Sequence, residues 1–362
     1  MSVRHATVRL RAWAPRFPRS STKYGFINSD KSPSGSKPFS TSQVNCITPQ
    51  SSQTMDVAKS SSVSGSSLGR IHVLGIGNLG RLFAHALANS KNPPPISLLL
   101  HRPSLLQEWE KAGRQISITT NGIINSNGQF DVEDISSPTS SDTPISNLIV
   151  ATKTINTASA LASVSHRLNS ESTVLFTQNG MGTLEEANSQ AFTDVSKRPN
   201  YLTSITSHGV FTLSPFSSVH AGLAFVSIGR ALQAPPPTSP SKAQYLINKV
   251  IESPVLAAKE YPPQEILYLQ LEKLVINAMI NPLTAVFDCK NGELFIHGAV
   301  VKMMRLLLQE ASQVLLSLPE LRVAADGDDE VEFRFSTQEL EIKVLDVAEK
   351  TAANTSSMLV NI

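Results

Sequence analysis

A short apolar stretch at residues 71–74 runs directly into the glycine-rich sequence GIGNLG at residues 75–80, and an apolar helical pattern follows. In such a strand-turn-helix setting Gly75 permits a tight turn, Gly77 lets the backbone approach a pyrophosphate, and Gly80 lets the helix pack closely on the strand. The amides of the helix N-terminus add hydrogen-bond donors for an anion. The motif therefore predicts a dinucleotide site that opens an α/β fold, with a plain strand-turn-helix as the alternative. The residues expected at the cofactor are Gly75, Ile76, Gly77, Asn78, Leu79 and Gly80.

The next predicted strand, residues 96–100, is followed by His101 and Arg102. At this strand end a carboxylate binds the ribose 2′-hydroxyl of NAD, whereas a guanidinium pairs with the 2′-phosphate of NADP. Arg102 therefore favours NADP over NAD. The alternative is that its guanidinium is simply solvated.

Two further apolar stretches, near residues 146–152 and 172–178, alternate with helical patterns, which predicts a doubly wound parallel sheet. Ligands collect at the carboxyl ends of the strands in such sheets. Lys153 follows the first stretch and Asn179 follows the second, so we expect both side chains near a nicotinamide. Taken singly, an exposed strand-end charge and an ordinary turn residue describe them equally well.

A long apolar helical pattern follows Pro262 and Pro263. Lys273, Asn277 and Asn281 lie at i, i+4 and i+8, hence on one face of the helix. Because their neighbours are apolar nearly all round, we expect the helix to be buried, and a buried polar stripe needs polar partners or a ligand. The alternatives are an exposed stripe or an internal hydrogen-bond network.

Lys273 is the candidate general acid within this stripe. A partly desolvated lysine has a lowered pKa, and it can donate a proton to a carbonyl oxygen while hydride arrives at the carbon. Asn277 and Asn281 would then align a hydroxylated substrate.

Charge and cysteine content exclude several classes of protein. The net charge of the chain is +2, so there is no global basic field for nucleic acid. Two cysteines, Cys46 and Cys289, are too few for a disulfide framework or a thiolate metal cage, and no His, Asp or Glu cluster has ligand spacing. The longest apolar runs are strand-sized, so no membrane insertion is expected.

The N-terminal segment is basic although the chain as a whole is nearly neutral. Residues 1–29 contain five arginines and one lysine, no acidic residue and many hydroxyl side chains, a composition typical of a mitochondrial transit peptide. We assign residues 1–40 to a transit peptide and the serine-rich residues 41–69 to a disordered linker. The alternative is an ordinary disordered extension, for which we expect a cytoplasmic protein.

Six segments together resemble the ketopantoate reductase family, the NADPH-dependent 2-dehydropantoate 2-reductases. They are GIGNLG, the strand end at Lys153, QNGMGTLEE at 178–186, TSITSHGVF at 203–211, KLVINAMINPLTAVFDCKNGEL at 273–294 and NTSSML at 354–359. The resemblance implies an N-terminal Rossmann-type dinucleotide-binding domain, residues 70–262, followed by an all-helical C-terminal domain, residues 263–362. It places the active site in the cleft.

The resemblance also implies roles for single residues. Lys273 matches the catalytic lysine, and the 2′-phosphate arginine falls at His101 or Arg102, of which we favour Arg102. Substrate contacts are implied for Asn179, Asn277, Asn281, Asn291 and Ser357, and contacts with the nicotinamide end of the cofactor for Lys153 and Asn179. The implied reaction is reduction of 2-dehydropantoate to (R)-pantoate by NADPH, in pantothenate and coenzyme A biosynthesis.

In one respect the sequence departs from the family pattern. Beyond the NTSSML segment the family has a glutamate that helps to bind substrate and cofactor, whereas this sequence ends at Ile362. We therefore expect an incomplete gene model or a truncated product. Two other functions stay open, a paralogous NADPH-dependent reductase of another branched 2-oxo acid and a truncated, non-catalytic NADPH-binding protein. The expected partner is a small-molecule 2-oxo acid, no nucleic-acid partner is expected, and a homodimer is left open.

Overall fold

The computed structural model describes residues 69–136, 141–232, 240–321, 329–355 and 358. The predicted transit peptide, nearly all of the predicted linker, and Ser357 lie outside the described residues. Within them, a sheet domain is followed by a helical domain, which confirms the expected fold class.

Strands and helices alternate through the first half of the described chain. The strands are β1 Ile71–Leu74, β2 Ile96–Leu100, β3 Ile116–Thr120, β4 Ile123–Asn127, β5 Asp131–Asp134, β6 Asn147–Val150, β7 Thr173–Phe176, β8 Asn200–Thr206, β9 Gly209–Ser214, β10 Ser217–Gly222, β11 Val226–Arg230 and β12 Lys259–Glu260. The helices are α1 Asn78–Ala88, α2 Pro103–Lys111, α3 Thr157–Ala162, α4 Thr183–Gln190, α5 Pro240–Ile251, α6 Pro263–Phe287, α7 Asn291–Leu294, α8 Gly298–Ser317, α9 Asp329–Arg334 and α10 Thr337–Lys350.

The main sheet has eight strands in the order β12-β11-β8-β7-β6-β1-β2-β5. The six strands from β8 to β5 in this order are mutually parallel, and β11 pairs antiparallel with β8. Strand β1 lies between β2 and β6, and all four of its residues are buried. Ile71 and Val73 face one apolar core while Leu74 faces the other, because successive side chains of a strand point to opposite faces. Burial on both faces explains why β1 and its neighbours β2 and β6 are mostly apolar, each with a single buried polar residue, His72, Ser97 and Asn147.

A second sheet of four strands, in the order β4-β3-β10-β9, packs against α1. The buried Arg81 of α1 ties this helix to the sheet. Its guanidinium donates to the carbonyls of Ser214 and Ser217, at 2.9 and 3.1 Å, and to the hydroxyl of Thr212 at 2.8 Å. The same side chain donates to the carbonyl of Gly77 at 3.3 Å, so it also fixes the glycine loop.

Helix α6 is the centre of the helical domain. It begins with Pro263 in its first turn, where a missing N–H costs no hydrogen bond, and it packs against α8 and α10. The expectation that α6 is buried nearly all round is correct only in part. Leu274 is 37% exposed because its side of the helix borders a hollow, and the last turn leaves Val286 and Phe287 exposed. Among the described helices, none combines the length and apolar character that a membrane crossing requires.

Candidate active site

The three glycines of the loop between β1 and α1 differ in what surrounds them. Gly75 has a φ of +95°, and a Cβ on it would lie 2.7 Å from the backbone nitrogen of Thr152. A Cβ on Gly80 would lie 1.9 Å from the carbonyl oxygen of Gly75, whereas one on Gly77 would meet nothing within 4 Å. Gly75 and Gly80 are therefore required by the fold itself, while the missing side chain of Gly77 leaves open space beside the helix N-terminus.

A cleft of about 750 Å³ opens beside this loop, at the carboxyl ends of β1, β2 and β6. It brings together predicted cofactor residues from three separate segments, namely Gly75, Ile76, Gly77, Arg102 and Lys153. Arg102 and Lys153 are both exposed, and no Asp or Glu is among the described residues that line the cleft. The cleft therefore offers cations and uncapped amides to an anionic ligand.

Asn78, Leu79 and Gly80 form the first turn of α1 and do not line this cleft. The Asn78 side chain oxygen accepts from the hydroxyls of Thr212 and Ser218, at 2.9 and 3.2 Å. The Asn78 side chain therefore points toward the second sheet. Only the backbone of Asn78 is left to contact a cofactor in the cleft.

Hydrogen bonds join the loops that follow β6 and β7. The Gln178 side chain amide donates to the hydroxyls of Thr157 and Thr152, at 3.1 and 3.3 Å. The hydroxyl of Thr154 donates to the carbonyl of Asn179 at 3.2 Å. The two strand ends that carry Lys153 and Asn179 are therefore held as one unit.

A second, smaller hollow lies between the β7 loop, the end of β8 and one face of α6. Its lining brings Asn179, Lys273 and Asn277 together, although 98 positions separate the first from the last. Gln178 lines this hollow and is bonded to Thr152, which lines the larger cleft. The hollow thus adjoins the cleft through this pair.

Lys273 is held in the hollow by the backbone. Its ammonium donates to the carbonyl of Thr206 at 2.5 Å. Burial lowers the pKa of Lys273 to about 8. In the described part of the chain it has no ion-pair partner, because the neighbouring Glu272 pairs with Arg334 and Lys343 at 2.6 Å each. The result is a partly buried amine close to its titration range at physiological pH.

The family follows from matches along most of the chain. The family model for ketopantoate reductase PanE/ApbA matches residues 71–233, and the model for the C-terminal domain of the same family matches residues 265–362. The chain belongs to the ketopantoate reductase family. The first match covers the glycine loop, Lys153 and Asn179, and the second covers the whole Lys-Asn-Asn stripe.

Individual members of the family are similar over different shares of the chain. A ketoisovalerate reductase of Gibberella fujikuroi is 35% identical over 245 residues, which are 62% of this chain and 54% of that protein. A probable 2-dehydropantoate 2-reductase of Schizosaccharomyces pombe is 30% identical over 294 residues, or 79% and 83% of the two chains. The match thus spans little more than half the length of the Gibberella protein.

Solved structures agree on the fold. The crystal structure of a probable 2-dehydropantoate 2-reductase from Bacillus subtilis superposes with a TM-score of 0.57 at 24% identity, over 81% of this chain and 86% of that chain. At this identity the similarity concerns the fold alone.

Two residues that the ketopantoate reductase resemblance assigns to the substrate lie outside the hollow. Asn281 is half-buried one turn beyond Asn277 on the same face of α6. Asn291 is buried in α7, where its amide donates to the hydroxyl of Thr351 at 2.8 Å and its backbone N–H to the carbonyl of Asn354 at 3.0 Å. Their substrate roles stay predictions.

Sequence reasoning did not identify four polar residues that surround Lys273 or hold it, namely Gln178, Ser204, Thr206 and Gln270. A signal existed for Gln270, which lies three residues before Lys273 and therefore on the same face of the helix. No such signal existed for Thr206, which acts through its backbone carbonyl. Among the described residues, no group of three or more His, Cys, Asp or Glu side chains could hold a metal ion.

Proposed function

We propose that this protein reduces the C2 ketone of 2-dehydropantoate to give (R)-pantoate, with NADPH as reductant, in pantothenate and coenzyme A biosynthesis. The observation that carries the proposal is the hollow in which Lys273, with a pKa lowered to about 8, lies with Asn179 and Asn277. An acid, two amides and an adjoining dinucleotide cleft are the parts that reduction of a small hydroxylated keto acid requires.

The cleft fits a phosphorylated dinucleotide. The open side of Gly77 and the first-turn amides of α1 suit a pyrophosphate, since no side chain caps that helix. Arg102 would pair with the 2′-phosphate of NADPH, and Lys153 and Asn179 would contact the nicotinamide end. When bound, the cofactor supplies the hydride that reduces the ketone.

Side chains of this protein then donate the proton and orient the substrate. Lys273 would donate a hydrogen bond to the C2 oxygen and transfer its proton as negative charge develops there. Asn277 and Asn281 would hold the substrate through its hydroxyl and carboxylate groups. The Thr206 carbonyl keeps the Lys273 ammonium in the hollow before substrate arrives.

A second candidate function is reduction of 2-ketoisovalerate, and the similarity to the Gibberella ketoisovalerate reductase favours it. The two substrates share the 2-oxo acid and the branched carbon, and 2-dehydropantoate carries an additional hydroxymethyl group on that carbon. Asn277 and Asn281 offer that hydroxyl a partner, and a site built to bond a hydroxyl discriminates against a substrate that lacks it. A non-catalytic NADPH-binding protein is the third candidate, and Lys273 in the hollow argues against it.

The test is consumption of NADPH by the purified full chain with each 2-oxo acid, followed by absorbance. We expect higher kcat/KM with 2-dehydropantoate than with 2-ketoisovalerate, and loss of turnover in Lys273→Ala. Lys302→Ala serves as the matched control, because Lys302 is exposed on α8 in the same domain. Higher kcat/KM with 2-ketoisovalerate would show that the protein is a 2-ketoisovalerate reductase. NADPH binding without turnover of either acid would support the non-catalytic NADPH-binding protein.

We also propose a mitochondrial location, on the composition of residues 1–40 alone. A fluorescent fusion of the full chain should co-localise with mitochondria, and a fusion that begins at residue 41 should not. Diffuse fluorescence of the full-length fusion would contradict the proposal and favour the cytoplasm.

A further inference from the structure

Two buried histidines lie next to the turn that holds Lys273, and the proposed mechanism does not use them. His208 follows β8 and is 8% exposed, and His220 in β10 is 1% exposed. The Nδ1 of His208 and the Nε2 of His220 are 3.0 Å apart, with the rings nearly edge to face. Burial lowers the pKa of both rings.

The hydrogen bonds around His208 assign its protons. The backbone N–H of Ala224 donates to Nδ1 of His208 at 3.1 Å, so this nitrogen carries no hydrogen. The hydrogen therefore resides on Nε2, which donates to the carbonyl of Leu256 at 3.2 Å. With Nε2 of His220 as a donor, the single lone pair of His208 Nδ1 is shared between the His220 Nε2–H and the Ala224 N–H. A neutral His208 thus joins three segments of the sheet domain at one point.

That point is two residues from the acceptor of Lys273. The backbone N–H of His208 donates to the hydroxyl of Thr206 at 3.3 Å, and the carbonyl of Thr206 accepts from the Lys273 ammonium. Thr206 is also paired with Val226 at the end of β8. The β11 pairing holds the end of β8 on one side, and the His208 ring ties the residue that follows the turn to the loops at Ala224 and Leu256.

We propose that His208, supported by His220, is a positioning residue for Lys273 and acts through the Thr206 carbonyl. The inference rests on the proposed function in so far as Lys273 is the acid of the reaction. By fixing the turn after β8, the histidine pair keeps a backbone oxygen directed at the ammonium and holds the amine at the hollow.

Loss of the histidine pair should lower the pKa of Lys273. A hydrogen bond to an ammonium stabilises its charged form, so release of the Thr206 carbonyl lowers the pKa of Lys273 below its present value, by about one pH unit. No carboxylate among the described residues pairs with Lys273, and Glu272 is neutralised by Arg334 and Lys343. The carbonyl is therefore the contact through which the turn acts on the amine.

The experiment compares three variants with an exposed-histidine control. His208→Leu removes all three hydrogen bonds of the ring, and His208→Asn retains an acceptor near the Nδ1 position. Thr206→Val keeps the side chain shape while removing the link to the His208 backbone. His297→Leu is the control, because His297 is exposed at the start of α8.

Two readouts are taken on each full-length variant. The first is the pKa of Lys273 without cofactor, from an NMR titration of the reductively ¹³C-methylated protein, with Lys273→Ala used to assign its resonance. The second is the pH profile of kcat with 2-dehydropantoate and NADPH. We expect His208→Leu and Thr206→Val to lower the Lys273 pKa and to reduce kcat about tenfold. For His208→Asn we expect values of both quantities between those of these two variants and those of the parent.

The outcomes separate this proposal from the proposed function. If the Lys273 pKa stays in place or rises in both His208→Leu and Thr206→Val, the positioning role is wrong, even when the melting temperature falls. If His208→Leu does not fold, Thr206→Val decides in the same way. If the parent protein does not reduce 2-dehydropantoate, the proposed function fails, while the NMR titration still reports whether the turn acts on Lys273.

Discussion

The ammonium of Lys273 on α6 donates to the backbone carbonyl of Thr206 at the end of β8, across 67 positions of the chain. The candidate acid therefore belongs to the helical domain, whereas the group that holds it belongs to the main sheet. A side chain substitution at Thr206 cannot remove a backbone carbonyl, so the position of this acceptor is controlled through the strand end and the turn around it. The chemistry proposed for Lys273 thus depends on how β8 ends.

Replacement of Lys273 by methionine should remove activity and stabilise the fold. A general acid contributes roughly 10²- to 10⁴-fold to rate, and kcat should fall by about that factor. Burial lowers the Lys273 pKa to about 8, so below that pH the charged amine is less favourable in the folded state than in the unfolded state. Lys273→Met should therefore raise the free energy of unfolding at neutral pH, by up to about 3 kcal/mol. Urea unfolding measures this, and a variant less stable than the parent would contradict the burial argument.

The pH profile of the parent protein should lose activity on its alkaline side. Lys273 must be protonated to act as an acid, and its pKa of about 8 in the ligand-free protein implies that kcat/KM falls as pH rises through that value. Lys273→Arg is the comparison, because its guanidinium stays protonated far above this range. Whatever activity it retains should show no decrease near pH 8. An alkaline limb that is unchanged in Lys273→Arg would assign the titration to another group.

A pair of glycine variants separates cofactor binding from folding. Gly77 has a φ of −78° and a Cβ there would meet nothing within 4 Å, so Gly77→Ala should fold normally and bind NADPH more weakly. A Cβ on Gly80 would lie 1.9 Å from the carbonyl oxygen of Gly75, so Gly80→Ala should lower stability by about 1–3 kcal/mol. Thermal unfolding and NADPH fluorescence titration measure the two effects. Equal NADPH affinity for Gly77→Ala and the parent would argue against a pyrophosphate at this loop.

The choice between NADPH and NADH tests Arg102. Arg102→Ala should weaken NADPH binding by about tenfold or more and leave NADH binding nearly unchanged, because the lost ion pair concerns only the 2′-phosphate. His101→Ala is the matched variant, since His101 lines the same cleft at the same strand end. A larger loss of NADPH affinity in His101→Ala than in Arg102→Ala would show that His101 is the residue that contacts the 2′-phosphate. Unchanged NADPH affinity in both variants would show that Arg102 is simply solvated.

Stability in acid should depend on Glu133 in β5. Hydrogen bonds from His72, and then from the buried Arg167 at 2.8 Å, lower the pKa of Glu133 to about 2. Because the folded pKa lies below the unfolded value of about 4.5, the carboxylate stabilises the fold above pH 4.5 and this stability is lost as pH falls toward 2. Glu133→Gln should be less stable than the parent at neutral pH by roughly 2–3 kcal/mol, with a difference that shrinks in acid.

Asp131→Asn is the control for this prediction, because Asp131 is on the same strand and its ion pair with Arg70 is largely exposed. Such surface pairs contribute about 0–1 kcal/mol. Urea unfolding of both variants between about pH 3 and pH 7 makes the comparison. A difference between Glu133→Gln and the parent that is independent of pH would rule out the ionised carboxylate as the source.

The sequence predicted the features that arise within one strand or one helix. The strand before GIGNLG, the parallel strands near Lys153 and Asn179, and the helix after Pro263 all follow from apolar periodicity and from glycine and proline positions, which act locally. The i, i+4 spacing also placed Lys273 and Asn277 on one face, and the hollow includes both. Local rules were sufficient for these elements.

Features that depend on tertiary geometry could not be predicted from the sequence. The Thr206 carbonyl becomes a partner of Lys273 only through the approach of α6 to β8, and no side chain type marks a backbone acceptor. The exposure of Leu274 likewise reflects what lies opposite α6, whereas the apolar pattern predicted burial. Asn291 donates to Thr351 within its own domain, while its buried Oδ1 has no hydrogen-bond partner among the described residues, and no local sequence rule predicts either fact.

Arg81 gives the glycine loop a mechanical connection to the second sheet. Because this buried guanidinium bonds Gly77 at one end and the β9–β10 hairpin at the other, the loop cannot open without breaking contacts far from it. In native-state hydrogen exchange the first amides of α1 should therefore open together with those of the hairpin, as one cooperative unit. A ligand bound at the loop would slow exchange in a hairpin that it never touches.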